Sequence, residues 1–298
     1  MKKIFSGLGT ALVTPFNNGE VDYYSLKVLL NKQIEAGVEA VVVLGTTGEP
    51  STLTDKERDK IIKTTVSLCK GQTKVIVGVG SNSTKKAVSY YKRAEELGVD
   101  GALIVTPYYN KCTQDGIFEH YSAIANSGKL PIIVYNVPSR TGVNIDPETL
   151  QRLAEIENIC GIKESSGNIN QALHYFYVVD KKMAIYCGED ALMYVFATLG
   201  AEGGISVVSN LLPKETKKIL DSCRNGKYEK SRELQRKILP LIDSIFARVN
   251  PIPIKSALSY LGLCKNELRL PLTPLPENDF LNLKKEIDKV WSKIDDSL

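Results

Sequence analysis

A chain of 298 residues with 43% apolar and 24% charged residues has the composition of a soluble globular protein, and no apolar run approaches the roughly 18 residues of a membrane span. Its 38 basic and 34 acidic residues leave a net charge of +4, with the basic residues scattered, which argues against nucleic acid as the main partner. Six cysteines with no CxxC pair read as reduced thiols in a cytoplasmic protein, and two histidines, His120 and His174, give a histidine-built metal site or a Ser-His-Asp triad little to draw on.

The opening Met1-Lys2-Lys3 and the apolar stretch behind it imitate a signal peptide. Gly7, Gly9 and Thr14-Pro15-Phe16, with no small-x-small cleavage site, make that stretch a first strand over 8–13 instead. Helical spacing follows over 23–36, then strand 40–44, helix 55–69, strand 74–79, helix 83–97, strand 102–105 and helix 114–126. The alternation continues with strand 131–135, helix 147–155, strand 159–163, helix 169–180, strand 184–187, helix 191–198, strand 204–208 and a closing helix from 213 to about 223. Thr54-x-x-Glu57 and Asp146 before Pro147 read as helix caps. Strands that are continuously apolar are covered on both faces, which means a parallel sheet flanked by helices. Eight of them with one helix between each pair call for an α/β fold of the (β/α)₈ TIM-barrel type, where a doubly wound sheet would have five or six. Beyond about 225 the strand pattern stops, and helices over 228–249, 254–261 and 277–294 are separated by proline-rich joints. The expected division is a catalytic barrel over 1–224 and a C-terminal helical domain over 225–298 that packs on the barrel wall or on a neighbouring subunit.

Functional groups of such a barrel stand at the C-terminal ends of its strands. Those ends read Gly45-Thr46-Thr47-Gly48-Glu49, Thr106-Pro107-Tyr108-Tyr109-Asn110, Tyr135 through Gly142, and Lys163-Glu164-Ser165. Period two puts Lys163 on one face with Ile159 and Gly161; if that face is the barrel interior, desolvation favours the neutral amine, the nucleophile that condenses with a carbonyl to form an imine. The other reading is a strand-end lysine that reaches solvent or pairs with Glu164. Tyr135, on the adjacent strand near the same height, is placed to move protons over the same substrate, and reads equally as a core aromatic with a satisfied hydroxyl. The hydroxyls and glycines of 45–48 suit a carboxylate or simply a tight turn, and Arg140 offers a fork for a second carboxylate or is a surface charge. No GxGxxG or GxxxxGK[ST] motif points to nucleotide phosphates.

With these motifs, together with Asn250-Pro251-Ile252-Pro253-Ile254-Lys255, all in order and spacing, the whole chain resembles the dihydrodipicolinate synthase family of pyruvate-dependent Schiff-base aldolases. The resemblance implies condensation of pyruvate with L-aspartate 4-semialdehyde on the route to diaminopimelate and lysine, with no metal or organic cofactor. It implies that Lys163 forms the imine, and that the Thr46 and Thr47 amides and the Thr47 hydroxyl grip the pyruvate carboxylate. Tyr135 would relay protons with Thr47 and Tyr109, Arg140 would bind the semialdehyde carboxylate, and the Ile205 carbonyl matches a further site position. The tyrosine matching Tyr109 enters from a neighbouring subunit, so a homodimer is the expected minimal active unit and a homotetramer the usual assembly. Lysine-inhibited members use two histidines and a glutamate where this chain has Asp55, Arg58 and Lys86, although Asn82 and Tyr108 still match; feedback by lysine is expected to be weak or absent. The nearest rivals are sister lyases that use the same imine, such as N-acetylneuraminate lyase or a 2-keto-3-deoxy sugar-acid aldolase; a non-catalytic pyruvate-binding barrel is the rival of another class.

Overall fold

Eight parallel strands close into one barrel: β1 (Gly7–Ala11), β2 (Ala40–Val43), β3 (Lys74–Gly78), β4 (Gly101–Val105), β5 (Ile132–Asn136), β6 (Ile159–Glu164), β7 (Ala184–Cys187) and β8 (Gly203–Ser206). Each pairs with the next, and β8 returns to β1 with Gly9 opposite Ile205. The structure is a computed structural model that describes residues 2–295. Around the barrel run α1 (Tyr23–Glu35), α2 (Asp55–Cys69), α3 (Thr84–Glu96), α4 (Gln114–Ala125), α5 (Pro147–Ala154), α6 (Ile169–Val179), α7 (Met193–Thr198) and α8 (Pro213–Arg224). Every strand position but Lys74 and Val105 is buried, with Val, Ile, Leu and Ala at about half of them, because each strand meets helices outside and the barrel core inside. This is the TIM barrel expected from the alternation of apolar runs and helical spacing.

The N-terminal end of the barrel is plugged. The Phe5 ring stacks on Tyr186 with centroids 4.5 Å apart, and the Tyr186 hydroxyl donates to the Phe5 carbonyl at 2.8 Å. Gly9 and Gly161 make room for these rings: a Cβ on Gly9 would stand 3.0 Å from Phe5, and one on Gly161 2.9 Å from Tyr186. Gly161 therefore faces inward, and period two carries Lys163 inward with it.

Three further helices follow, α9 (Tyr228–Phe246), α10 (Ile252–Tyr260) and α11 (Glu277–Asp295). Helix α9 lies along α7 and α8, α11 packs on α9 and α10, and Ile238, Leu241, Ile245, Leu283 and Ile287 join the same hydrophobic core as the barrel. Among the described residues no helix is long and apolar enough to cross a membrane.

Local differences from the expected elements have local causes. The first strand stops at Ala11 and the last at Ser206, where Val208–Asn210 turns into a short 3-10 helix. A two-stranded ribbon, Phe16–Asn17 with Glu20–Val21, was missed, although Asn18-Gly19 is a hairpin signal; both have positive φ, 53° and 81°. Thr54 and Glu57 form the expected capping box, but the side chain of Asp146 makes no cap hydrogen bond; Pro147, with its preset φ, opens α5 instead.

Candidate active site

The β5–β6 register sets Tyr135 directly beside Lys163, and β7 sets Tyr186 on its other side. Lys163 is 5% exposed, its Nζ lies 4.4 Å from the centroid of the Tyr135 ring, and it has no carboxylate or carbonyl partner among the described residues. The pairing with Glu164 that would have made it an ordinary strand-end lysine does not occur. Glu164 points the other way, where it accepts from the Asn136 side-chain amide at 2.9 Å and from the Ser166 amide at 2.7 Å; burial pushes its carboxyl up. Gly188, at the end of β7, lies so close that a Cβ there would stand 2.9 Å from Lys163 Cε.

Above the barrel opens a cavity of about 420 Å³, lined by Gly45, Thr46, Tyr108, Tyr135, Arg140, Thr141 and Asn250, and extending outward to Arg58, Ser81, Lys86 and Tyr90. Thr46–Gly48 forms one turn of 3-10 helix, so the first amides of that turn have no partner within it and are free to donate. Thr46 lines the cavity, whereas Thr47 is 2% exposed and its hydroxyl accepts from Asn250 Nδ2 at 2.9 Å. Asn250 also accepts, through its main-chain carbonyl, from Arg140 at 3.2 Å. One residue of the C-terminal helical segment thus ties the 45–48 turn to the arginine at the cavity's rim. That is more than the packing role expected of this segment.

Ile205 is fully buried on β8 opposite Gly9. Tyr109, at φ 73° on the loop after β4, is 90% exposed and does not line the cavity of its own chain. The relay expected among Tyr135, Thr47 and Tyr109 is accordingly not closed by hydrogen bonds within one chain among the described residues.

Sequence reasoning missed Glu189 and Asp190, although Gly188-Glu189-Asp190 follows directly on β7, where barrel chemistry resides. Burial and then Asp190 raise Glu189 to about 7, while Lys163 and Arg140 act against the rise. Asp190 is buried, bonded to the Ser206 hydroxyl and, at 2.8 Å, to the Val207 amide, so it braces the end of β8. Two carboxyl groups and two cations therefore converge on one end of the barrel.

A model of the dihydrodipicolinate synthetase family matches residues 4–290. The 4-hydroxy-tetrahydrodipicolinate synthase of Alkaliphilus oremlandii is 47% identical over 287 residues, 96% of this chain and 98% of that protein. Among solved structures, dihydrodipicolinate synthase from Thermotoga maritima is similar with a TM-score of 0.95 at 43% identity, covering 97% of this chain and 99% of the other. The 4-hydroxy-tetrahydrodipicolinate synthase of Methylacidiphilum fumariolicum SolV has a TM-score of 0.96 at 40% identity, with 98% of each chain covered.

Proposed function

The chain belongs to the dihydrodipicolinate synthetase family, and we infer on that premise that it condenses pyruvate with L-aspartate 4-semialdehyde to 4-hydroxy-tetrahydrodipicolinate, in the biosynthesis of diaminopimelate and lysine. The observation that carries the reading is Lys163: an amine 5% exposed, with no carboxylate in salt-bridge contact among the described residues, against a tyrosine that lines the cavity. Its nitrogen adds to the keto carbon of pyruvate and water leaves, giving an imine; loss of a methyl proton gives the enamine, whose carbon attacks the aldehyde. The amine of the second substrate then attacks the imine carbon, closes the ring and frees Lys163. The chemistry is supplied by side chains and needs no cofactor.

Tyr135, whose ring centroid lies 4.4 Å from Lys163 Nζ, carries the proton transfers. The Thr46 and Thr47 amides hold the pyruvate carboxylate, with the Thr47 hydroxyl fixed by Asn250, and Arg140 holds the carboxylate of the semialdehyde. The Ile205 carbonyl, on β8, is assigned to the same site on the family resemblance. Tyr109, exposed in the single chain, completes the relay of a neighbouring subunit, so the dimer is the active unit and a tetramer its further assembly. The enzyme works in the cytoplasm. Residues 1–224 carry the chemistry, and 225–298 contribute Asn250 and the outer packing. Lysine feedback is weak or absent, because Arg58 and Lys86 repel the ammonium of that ligand.

Borohydride reduction with pyruvate present tests the reading. A reduced three-carbon adduct on the Lys163 peptide is expected, and Lys163→Met should abolish both adduct and turnover; an adduct on another lysine, or none, sinks it.

A further inference from the structure

The register that sets Tyr135 beside Lys163 also sets Asn136 beside Glu164, one residue further along and on the opposite face of the same two strands. Both side chains are buried, and among the described residues no cation lies within salt-bridge distance of the carboxylate. The reaction leaves it without a task. Both of its oxygens accept, one from the Asn136 side-chain amide and one from the Ser166 amide, and this settles how the Asn136 amide lies, with Nδ2 towards Glu164 and Oδ1 away from it. So oriented, Oδ1 accepts from the Ile145 amide at 3.1 Å, and Nδ2 donates also to Asn144 Oδ1 at 3.0 Å. Asn136 is the last residue of β5, and the chain that leaves it as Val137 returns at 144–145 to its side chain. Loop 137–143, which carries Arg140, is thus tied shut at one residue. Within it the Thr141 hydroxyl donates to the Val143 carbonyl at 2.9 Å and the Gly142 amide to the Pro138 carbonyl at 2.9 Å, so a change at the neck moves the loop as one piece. Gln114 and Gln171 brace Asn144 from the helix layer, at 2.9 and 2.8 Å; Asn136 joins the same segment to the strand ends that bear Tyr135 and Lys163.

We propose that Glu164, acting through Asn136, is a positioning residue for the second substrate: it fixes the neck of loop 137–143 and with it the direction in which Arg140 presents its guanidinium to the semialdehyde carboxylate. The inference rests on the reading of Arg140 given above and adds to it what holds that arginine in place. A guanidinium grips a carboxylate through paired N–H bonds whose strength falls as the fork tilts, so a small rotation of the loop costs affinity. The loop's tip is already held, since Arg140 donates to the Asn250 carbonyl at 3.2 Å. Its neck depends on which way one amide lies. A carboxylate opposite that amide permits a single orientation, whereas an amide opposite it would permit two, and the second turns Oδ1 away from Ile145.

The test is steady-state kinetics in both substrates, with borohydride trapping of pyruvate alongside. Glu164→Gln keeps the shape of the side chain and an acceptor for the Ser166 amide, but sets a second amide donor against Asn136 Nδ2. The KM for the semialdehyde is expected to rise about tenfold, while the KM for pyruvate and the extent of trapping on Lys163 stay within about twofold. Adding Asn136→Asp to the same chain exchanges donor and acceptor across the pair and lets the aspartate accept from Ile145. It should bring the semialdehyde KM back to within about threefold of wild type. Should Glu164→Gln not fold, Glu164→Asp, which keeps the charge and draws it back from Asn136, takes its place with the same rise expected. A semialdehyde KM that does not change would overturn the proposal, and so would a rise shared equally by pyruvate, which is what general loosening of the barrel end produces. A rise in Glu164→Gln that the exchange leaves in place would overturn it as well. Absence of an adduct in the wild type is a different result: it sinks the reading of Lys163, and this proposal with it.

Discussion

Burial at the C-terminal end of β7 lifts Glu189 to about 7, against 4.5 for the free side chain, with Asp190 acting in the same direction. In the unfolded chain the carboxyl loses its proton near 4.5, in the folded chain only near 7, so the native state binds more protons throughout that window. Stability is therefore lost as pH rises through it. Glu189→Gln should raise the Tm at pH 8, by an amount worth about 1–2 kcal/mol after allowance for its partial exposure, and leave stability at pH 4 nearly unchanged. Thermal unfolding of both proteins at the two pH values checks this, and an equal shift at both would show that the charge is not responsible. The cations Arg58 and Lys86 carry the second expectation at this scale. L-lysine titrated into the steady-state assay should leave the rate essentially unchanged up to about 1 mM, since like charges at the ammonium end cost more than the remaining Asn82 and Tyr108 contacts return. Strong inhibition below that concentration would refute it.

Between elements, a buried ion pair fixes the turn that precedes α2. Glu49 has φ 51°, in the left-handed region, where a residue with a side chain is held only by its surroundings. Those surroundings are Lys255 on α10, whose Nζ lies 2.5 Å from the carboxylate with both side chains 2% exposed or less, and the Arg269 amide at 3.2 Å. Phe16 of the small ribbon sits against both cations, 4.0 Å from Lys255 Nζ and 4.5 Å from the Arg269 guanidinium. Lys255→Met should destabilise the protein by about 3–5 kcal/mol, because it strands Glu49, and the double variant with Glu49→Gln should recover a large part. Equilibrium denaturation of the three proteins gives the coupling directly; simple additivity would mean that the pair does not act as one. This region also shows where sequence reading stops. The barrel strands were legible because continuous apolar runs have one reading once helices alternate with them, and Lys163 and Tyr135 were legible because parallel register puts neighbouring strand ends side by side. Asn250 and Lys255 were visible as a motif, but their contacts with Thr47 and Glu49 bridge some two hundred positions of chain, and no local pattern encodes such a contact. Glu189 was missed for a different reason: its proton affinity is set by burial, which the sequence does not state.

For the molecule as a whole, the proposal that Tyr109 completes the relay of a neighbouring subunit makes assembly a condition of activity, and it has a direct test. A variant carrying Lys163→Met and another carrying Tyr109→Phe should each be nearly inactive alone. Mixed under conditions that exchange subunits, they should regain about a quarter of wild-type activity, because half of randomly formed dimers are hybrids and each hybrid holds one intact site. Recovery measured against mixing time, with sedimentation to follow exchange, checks the expectation; exchange without recovery would confine Tyr109 to its own chain.

The stack of Phe5 on Tyr186 gives the barrel a floor, so it is a cup and not a tube. Everything reaching the amine of Lys163 comes in from above, past the phenol of Tyr135, and everything made there leaves by the way it came. On the reading that Lys163 forms the imine, keto acid and aldehyde therefore share that one approach.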